Sequence, residues 1–239
     1  MSAAAHEQIL AVQAVDVRLR QLRHKIEQHP LRAELAEAEA AVAAEQGKLA
    51  EVESRRHEVD RDQKRLSDEV ATIEAKRAEI EGKLYDGSVQ ATKELLALQE
   101  ESANLLGRQT ALEDEQLEGM ELLETVSEEE SAVEQAMAAA TTEATGVADR
   151  LATAVAELEA EVAQATTERS EAAGPADPQL LARYEELAPQ FDGAPLARLV
   201  DGLCDGCNIR LPAMTVDQMQ KAATNAVFTC EECGRLLVR

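Results

Sequence analysis

The sequence predicts a mainly α-helical chain: a long antiparallel coiled-coil hairpin, followed by a small β-rich module closed on four cysteines. Three observations lead there. The first is composition. Among 239 residues there is no Trp, only two Phe and two Tyr, and 30% of the side chains are charged. Such a mixture with helical periodicity marks long helices rather than a large globular core. The second is a heptad pattern that runs through two arms of similar length. The third is the placement of all four cysteines, as two C-x-x-C pairs near the end of the chain.

The first arm, about residues 4–84, carries its pattern most clearly from Leu35. One track is Leu35, Val42, Leu49, Arg56, Gln63, Val70, Arg77 and Leu84. The other is Ala38, Glu45, Val52, Val59, Leu66, Ile73 and Ile80. The spacing alternates three and four, as a coiled-coil seam requires, with a few polar interruptions. Upstream, Val12, Val15, Leu19, Leu22 and Ile26 keep the rhythm in another phase. The phase changes at "HPL", so a kink or break is expected near Pro30.

The turn is expected at Asp86-Gly87, within "LYDGSVQATKE". Thr92 is the expected N-cap of the second arm, with Glu94 in its first turn to suit the helix dipole. That arm, about 92–172, has the tracks Leu98, Leu105, Leu112, Gly119, Val126, Val133, Ala140, Val147, Ala154 and Ser102, Gln109, Gln116, Leu123, Glu130, Met137, Ala144, Leu151, Leu158. It is weaker and richer in Ala. Gly107, Gly119 and Gly146 each cost roughly 1 kcal/mol against Ala. At about 1.5 Å per residue each arm would reach on the order of 110 Å. Charge favours pairing the arms with each other. Residues 7–83 hold 14 Lys/Arg against 17 Asp/Glu, and residues 92–171 hold 4 against 20. A parallel dimer of hairpins stays open beside the monomer.

The hairpin is thus expected over 1–173, and a linker helix with the cysteine module over 174–239. Gly174, Pro175 and Pro178 end the periodic region. Asp177 should cap a short helix that starts at Pro178 and turns Leu180, Leu181, Tyr184 and Leu187 inward. Beyond it, "ARLVDGL", "VFT" and "RLLV" have strand character. "TVDQ" has the form of a capping box, which places a helix over about 216–223. The cysteines read Cys204-x2-Cys207-x22-Cys230-x2-Cys233. Two such pairs let four thiolates close tetrahedrally on one structural Zn²⁺, the plan of a zinc ribbon. A redox dithiol calls for one such pair beside a βαβ pattern, disulfides for an oxidising compartment, and catalytic zinc for an open coordination position. Structural zinc suits this pattern better than redox or disulfide use or catalytic zinc, and His6, His24, His29 and His57 all fall on the first arm.

"CDGCNIRLPAMTV…FTCEECGRLLV" and "LYDGSVQATKELLALQEE" together resemble a family of bacterial coiled-coil zinc-ribbon proteins, the first as its ribbon and the second as its hairpin tip. The resemblance implies Cys204, Cys207, Cys230 and Cys233 as zinc ligands. It implies a chaperone-like or regulatory adaptor, whose relatives are described as binding an alternative sigma factor, a secretion ATPase or an mRNA.

Function is read from charge and from what is lacking. No nucleophile–base pair, phosphate loop or open metal site is visible, so a non-enzymatic role is expected. The net charge of −23 repels DNA and anionic membrane and favours a protein partner with a basic face. No run is apolar enough to span a bilayer, and the start lacks the pattern of a signal peptide, so a cytoplasmic protein is expected. Tyr85 and Lys93 at the tip, and Arg210, Arg235 and Arg239 on the ribbon, are the candidate partner contacts. The alternative is a DNA- or RNA-binding regulator acting through the ribbon.

Overall fold

The computed structural model describes residues 4–222 and 226–238. These residues fall into two compact units. One is Glu34–Val147; the other joins the residues up to Ala33 to those from Ala148 onward.

Within residues 34–147, helix α2 (Leu31–Tyr85) and helix α3 (Thr92–Ala173) form an antiparallel hairpin. The buried side chains of α2 are Val52, Leu66, Val70, Ile73 and Ile80, all on the two heptad tracks. Leu66, Val70 and Ile73 close with Leu112 and Leu105 into one cluster. The polar interruptions of the seam meet one another. Arg56 Nη1 donates to Glu130 at 2.7 Å, Gln63 Nε2 to the Gln116 carbonyl at 2.9 Å, and Arg77 Nη1 to Gln109 Oε1 at 2.8 Å. A slip in register would set these groups against leucines and valines. They therefore specify alignment more than they add stability.

Gly119 acquires a reason here. A Cβ at this position would lie 1.7 Å from Gln63 Nε2, so the missing side chain is the space through which Gln63 reaches α3. Gly119→Ala is therefore expected to gain little in the native chain, because displacing the Gln63 amide offsets the helix propensity gained. In a Gln63→Ala background the same change should stabilise by about 1 kcal/mol. Thermal unfolding of the four-membered mutant cycle measures the difference.

The turn lies at the expected place. Gly87 has φ +73°, and Asp86 Oδ1 accepts the Ser88 N–H at 2.8 Å. The cap of α3 falls one residue earlier than expected. Ala91 gives its carbonyl to the Leu95 N–H, so Thr92 is already inside the first turn.

In the other unit, helix α1 (Ala4–Glu27) ends before "HPL", and α2 resumes at Leu31, the break expected at Pro30. Leu19, Leu22 and Val15 pack on Leu158, Val162 and Ala165 of α3. Nearer its start, Ile9 and Val12 join Tyr184, Leu196, Leu236 and Val238 in a second core. Tyr184 belongs to α4 (Pro178–Leu187), which Asp177 caps by accepting the Gln179 and Leu180 N–H groups at 3.0 Å. Polar side chains tie these helices together. Asp16 accepts the Tyr184 hydroxyl at 2.7 Å and Arg169 Nε at 2.8 Å, and Arg169 Nη2 reaches Glu185 at 3.0 Å.

After a 3₁₀ turn at Ala188–Phe191 come β1 (Leu196–Val200), β2 (Leu203–Cys204), α5 (Ala213–Lys221), β3 (Phe228–Thr229) and β4 (Leu236–Val238). The sheet order is β2-β1-β4-β3, with β1 and β4 parallel and the outer pairs antiparallel. Asp201 and Gly202, at φ +50° and +78°, turn the β1–β2 hairpin. The expected capping box does not form. Helix α5 starts two residues before Thr215, directly after Pro212, and has no side-chain cap. Met219, fully buried, fixes the helix to the module core and so decides its phase. Gln13 of α1 closes the sheet from outside. Its amide accepts the Leu196 N–H at 2.7 Å and donates to the Leu196 carbonyl at 3.1 Å.

Candidate metal centre

Two knuckles with one backbone plan bring the cysteines together. In the first, the Cys204 N–H bonds the Ile209 carbonyl at 3.0 Å and the Asn208 N–H returns to Cys204 at 2.7 Å. In the second, the Cys230 N–H bonds Arg235 at 2.8 Å and the Gly234 N–H returns to Cys230 at 2.9 Å. The residue after the second cysteine is left-handed in both, Asn208 at φ +59° and Gly234 at +77°. Asn and Gly are the residues that tolerate this conformation best. Asp205 braces the first knuckle against β1, accepting the Arg198 N–H at 2.6 Å.

The four sulfurs lie within 4.8 Å of one another, and the Cys204–Cys233 and Cys207–Cys230 pairs are 3.9 Å apart. A tetrahedral Zn–S₄ site with bonds near 2.3 Å has S···S edges of ~3.8 Å. Donor type, number and spacing therefore all fit one structural zinc, and four thiolates leave it no open position. Cys204 and Cys230 are buried; Cys207 and Cys233 are partly exposed.

In the metal-free thiol state these groups are unequal. Burial pushes Cys204 up to about 12, against hydrogen bonds from the Cys207 and Gly206 N–H groups. Burial also acts on Cys233, but hydrogen bonds from the Arg235 N–H, the Cys230 side chain and the Arg235 guanidinium bring it down to about 7. Zinc must displace protons to bind here, so its affinity rises with pH.

The other candidate residues are dispersed. Tyr85 is 88% exposed and Lys93 is exposed, both beside the turn. Arg210 is exposed and donates to the Asp201 carbonyl at 3.2 Å. Arg235 is half-buried. It donates to the Ala194 and Gly206 carbonyls at 2.9 and 3.2 Å and lies 5.2 Å from the centre of the Phe191 ring. Gly206 makes this possible, since a Cβ there would meet Arg235 Cδ at 2.7 Å. Arg239 lies outside the described residues. Of the histidines, His6 is buried and none joins the sulfur cluster.

The family comparison agrees with this arrangement. The model for the CT398-like coiled coil hairpin domain matches residues 12–192, and that for the C4-type zinc ribbon domain matches residues 203–237. The chain belongs to the CT398-like hairpin family. Two Mycobacterium tuberculosis relatives of this family member, "Uncharacterized protein MT2288" and "Uncharacterized protein Rv2229c", are each 27% identical over 237 residues, covering 99% of this chain and 96% of theirs. A solved structure from Mycobacterium smegmatis superposes with a TM-score of 0.87 at 24% identity, covering 100% of this chain and 99% of that one. CT398 from Chlamydia trachomatis gives 0.75 at 19%, covering 98% and 97%. HP0958 from Helicobacter pylori gives 0.52 at 17%, covering 99% and 98%. At these identities the three structures speak for the fold alone.

Sequence reasoning missed the grip of α1 on the ribbon. The chemistry of Gln13 was in view, beside Val12 on an apolar stretch, but heptad reading assigns such a residue to solvent. Its partner, a strand 183 residues away, has no trace in local pattern.

Proposed function

We propose that this family member is a non-enzymatic adaptor of two functional parts. Residues 1–173 supply a helical docking surface, and residues 174–239 supply a zinc-stabilised head. The observation that carries this reading is on α3. Residues 109–147 hold eleven Asp/Glu and no Lys or Arg. On the same helix Leu96, Leu106, Leu117, Met120 and Leu122 are 48–61% exposed. Exposed apolar side chains set among carboxylates suit a protein partner that brings an apolar strip rimmed with Lys and Arg. Tyr85 and Lys93 extend this surface to the tip. The four thiolates give the head its fold, and a reducing compartment keeps them available to zinc. No helix among the described residues is long and apolar enough to cross a membrane.

Affinity capture from the native cell tests this, with and without nuclease. The expected result is a partner that survives nuclease and is lost at least tenfold when Leu117 and Met120 are both changed to Ser, or Tyr85 and Lys93 both to Ala. Partners that disappear with nuclease, and are indifferent to these changes, would replace this reading with a nucleic-acid-binding one.

A further inference from the structure

Basic side chains also gather locally on this acidic protein. Beside the ribbon, a cleft of about 660 Å³ opens between α1 and the segment after α4. Arg20, Arg23 and His24 come to it from α1, Phe191 and Asp192 from the 3₁₀ turn and its cap, and Arg235 from the second zinc knuckle. Three guanidinium groups from distant parts of the chain thus share one opening, on a protein whose net charge is −23. Carboxylates of the chain neutralise them only in part. Arg23 is exposed and has no ion pair among the described residues, and Arg20 reaches Asp192 only at 3.5 Å, where that carboxylate is 92% exposed. Arg20 crosses directly over Gly193, whose absent Cβ would meet its Nη2 at 2.9 Å. Arg235 is held in place by two carbonyls, the Phe191 ring and its contact with Cys233, so its fork is fixed at the edge of the opening. A fork fixed in advance loses less freedom on binding a carboxylate than a free one.

We propose that this cleft binds a short acidic segment of a protein partner, two carboxylates taken by Arg20, Arg23 and Arg235. Planar guanidinium forks match carboxylates in pairs. The size of the cleft suits a few side chains. Glu27 and Asp192 on its lining oppose a continuous phosphate chain but not a pair of carboxylates set in a neutral peptide. The site differs in place and in sign from the acidic face of α3, so the chain would carry two docking surfaces of opposite charge.

The test uses the full-length, zinc-loaded protein and a fluorescein-labelled Gly/Ser octapeptide carrying two Glu residues, followed by anisotropy at low salt. Binding is expected, weakened at least tenfold by Arg20→Ala with Arg23→Ala, and changed less than twofold by Arg183→Ala, which removes an exposed charge from α4. Should the double variant lose zinc or helical signal, Arg23→Glu alone is the substitute, with the same tenfold loss expected. No binding, or equal loss in the Arg183 variant, overturns the proposal. A single-stranded oligonucleotide of equal charge that binds more tightly than the peptide, and is lost in the same variants, overturns it in favour of nucleic acid. The Leu117 and Met120 changes should leave peptide binding untouched, so failure here and failure of the α3 reading are separate results.

Discussion

Removing zinc with a chelator, or replacing one ligand by Cys230→Ser, is expected to unfold the ribbon and leave most of the helical signal. The module's buried core consists of Ala197, Cys204, Leu211, Met219, Cys230 and Leu237. Two of those six are themselves ligands, so the metal site is also much of the packing. A module this small cannot bury enough surface to hold itself. Apparent zinc binding energies at such sites are about 10–16 kcal/mol and act directly as folding energy. The seam of Leu66, Val70, Ile73 and Leu112 includes no ribbon residue and should persist. Elemental analysis should give about one zinc per chain. Circular dichroism with amide exchange would locate the loss in β1–β4 and α5. Collapse of the α2–α3 helical signal on chelation would contradict the expectation, as would a folded, zinc-free chain with two disulfides.

The second large effect is expected at Asp16. Its carboxylate receives the Tyr184 hydroxyl and Arg169 Nε, and Tyr184 is fully buried. Asp16→Ala removes the charged acceptor of both groups and leaves the phenol only the Gly193 carbonyl at 3.2 Å and the guanidinium only Glu185. Lost hydrogen bonds to a charged group cost about 1.5–3 kcal/mol, so a loss of about 3 kcal/mol is expected in the unit that holds α1, α4 and the ribbon. Tyr184→Phe removes the hydroxyl's contacts with Asp16 and the Gly193 carbonyl but leaves Asp16 its Arg169 partner, and should cost about 1–2 kcal/mol. The same residue sets a pH limit. Burial first, and then the Asp16 carboxylate, raise the Tyr184 hydroxyl well above its ordinary value. Folding therefore keeps a proton that the unfolded chain gives up near pH ~10. The stabilising contribution is complete below that pH and falls as pH rises above it. Thermal unfolding between pH 8 and 11 should show this fall, and Tyr184→Phe should remove its part of the slope.

How far the sequence could be read depended on the range of the interactions. The α2–α3 seam was legible because each heptad position repeats the same physical demand, and even its polar breaks at Arg56, Gln63 and Arg77 lie on the tracks. The clustering of Cys204, Cys207, Cys230 and Cys233 was legible because zinc fixes both residue type and spacing. Asp177 was legible because capping is local, and "TVDQ" misled for the same reason. A capping box competes with packing, and the burial of Met219 favoured an earlier start after Pro212. The parallel pairing of β1 with β4, the role of Gln13 and the convergence of Arg20 with Arg235 were out of reach. Each joins segments whose neighbours in sequence say nothing of one another.

The grip of Gln13 on Leu196 also has a consequence in time. The two residues are 183 positions apart in sequence. At about 5–20 residues per second, a ribosome takes roughly 10–40 s to make the second after the first. Through that interval Ile9 and Val12 have no sheet to cover them. Until the ribbon is made, α1 is therefore a substrate for chaperones, and a ribosome that stalls before that point holds a chain whose apolar face is still open.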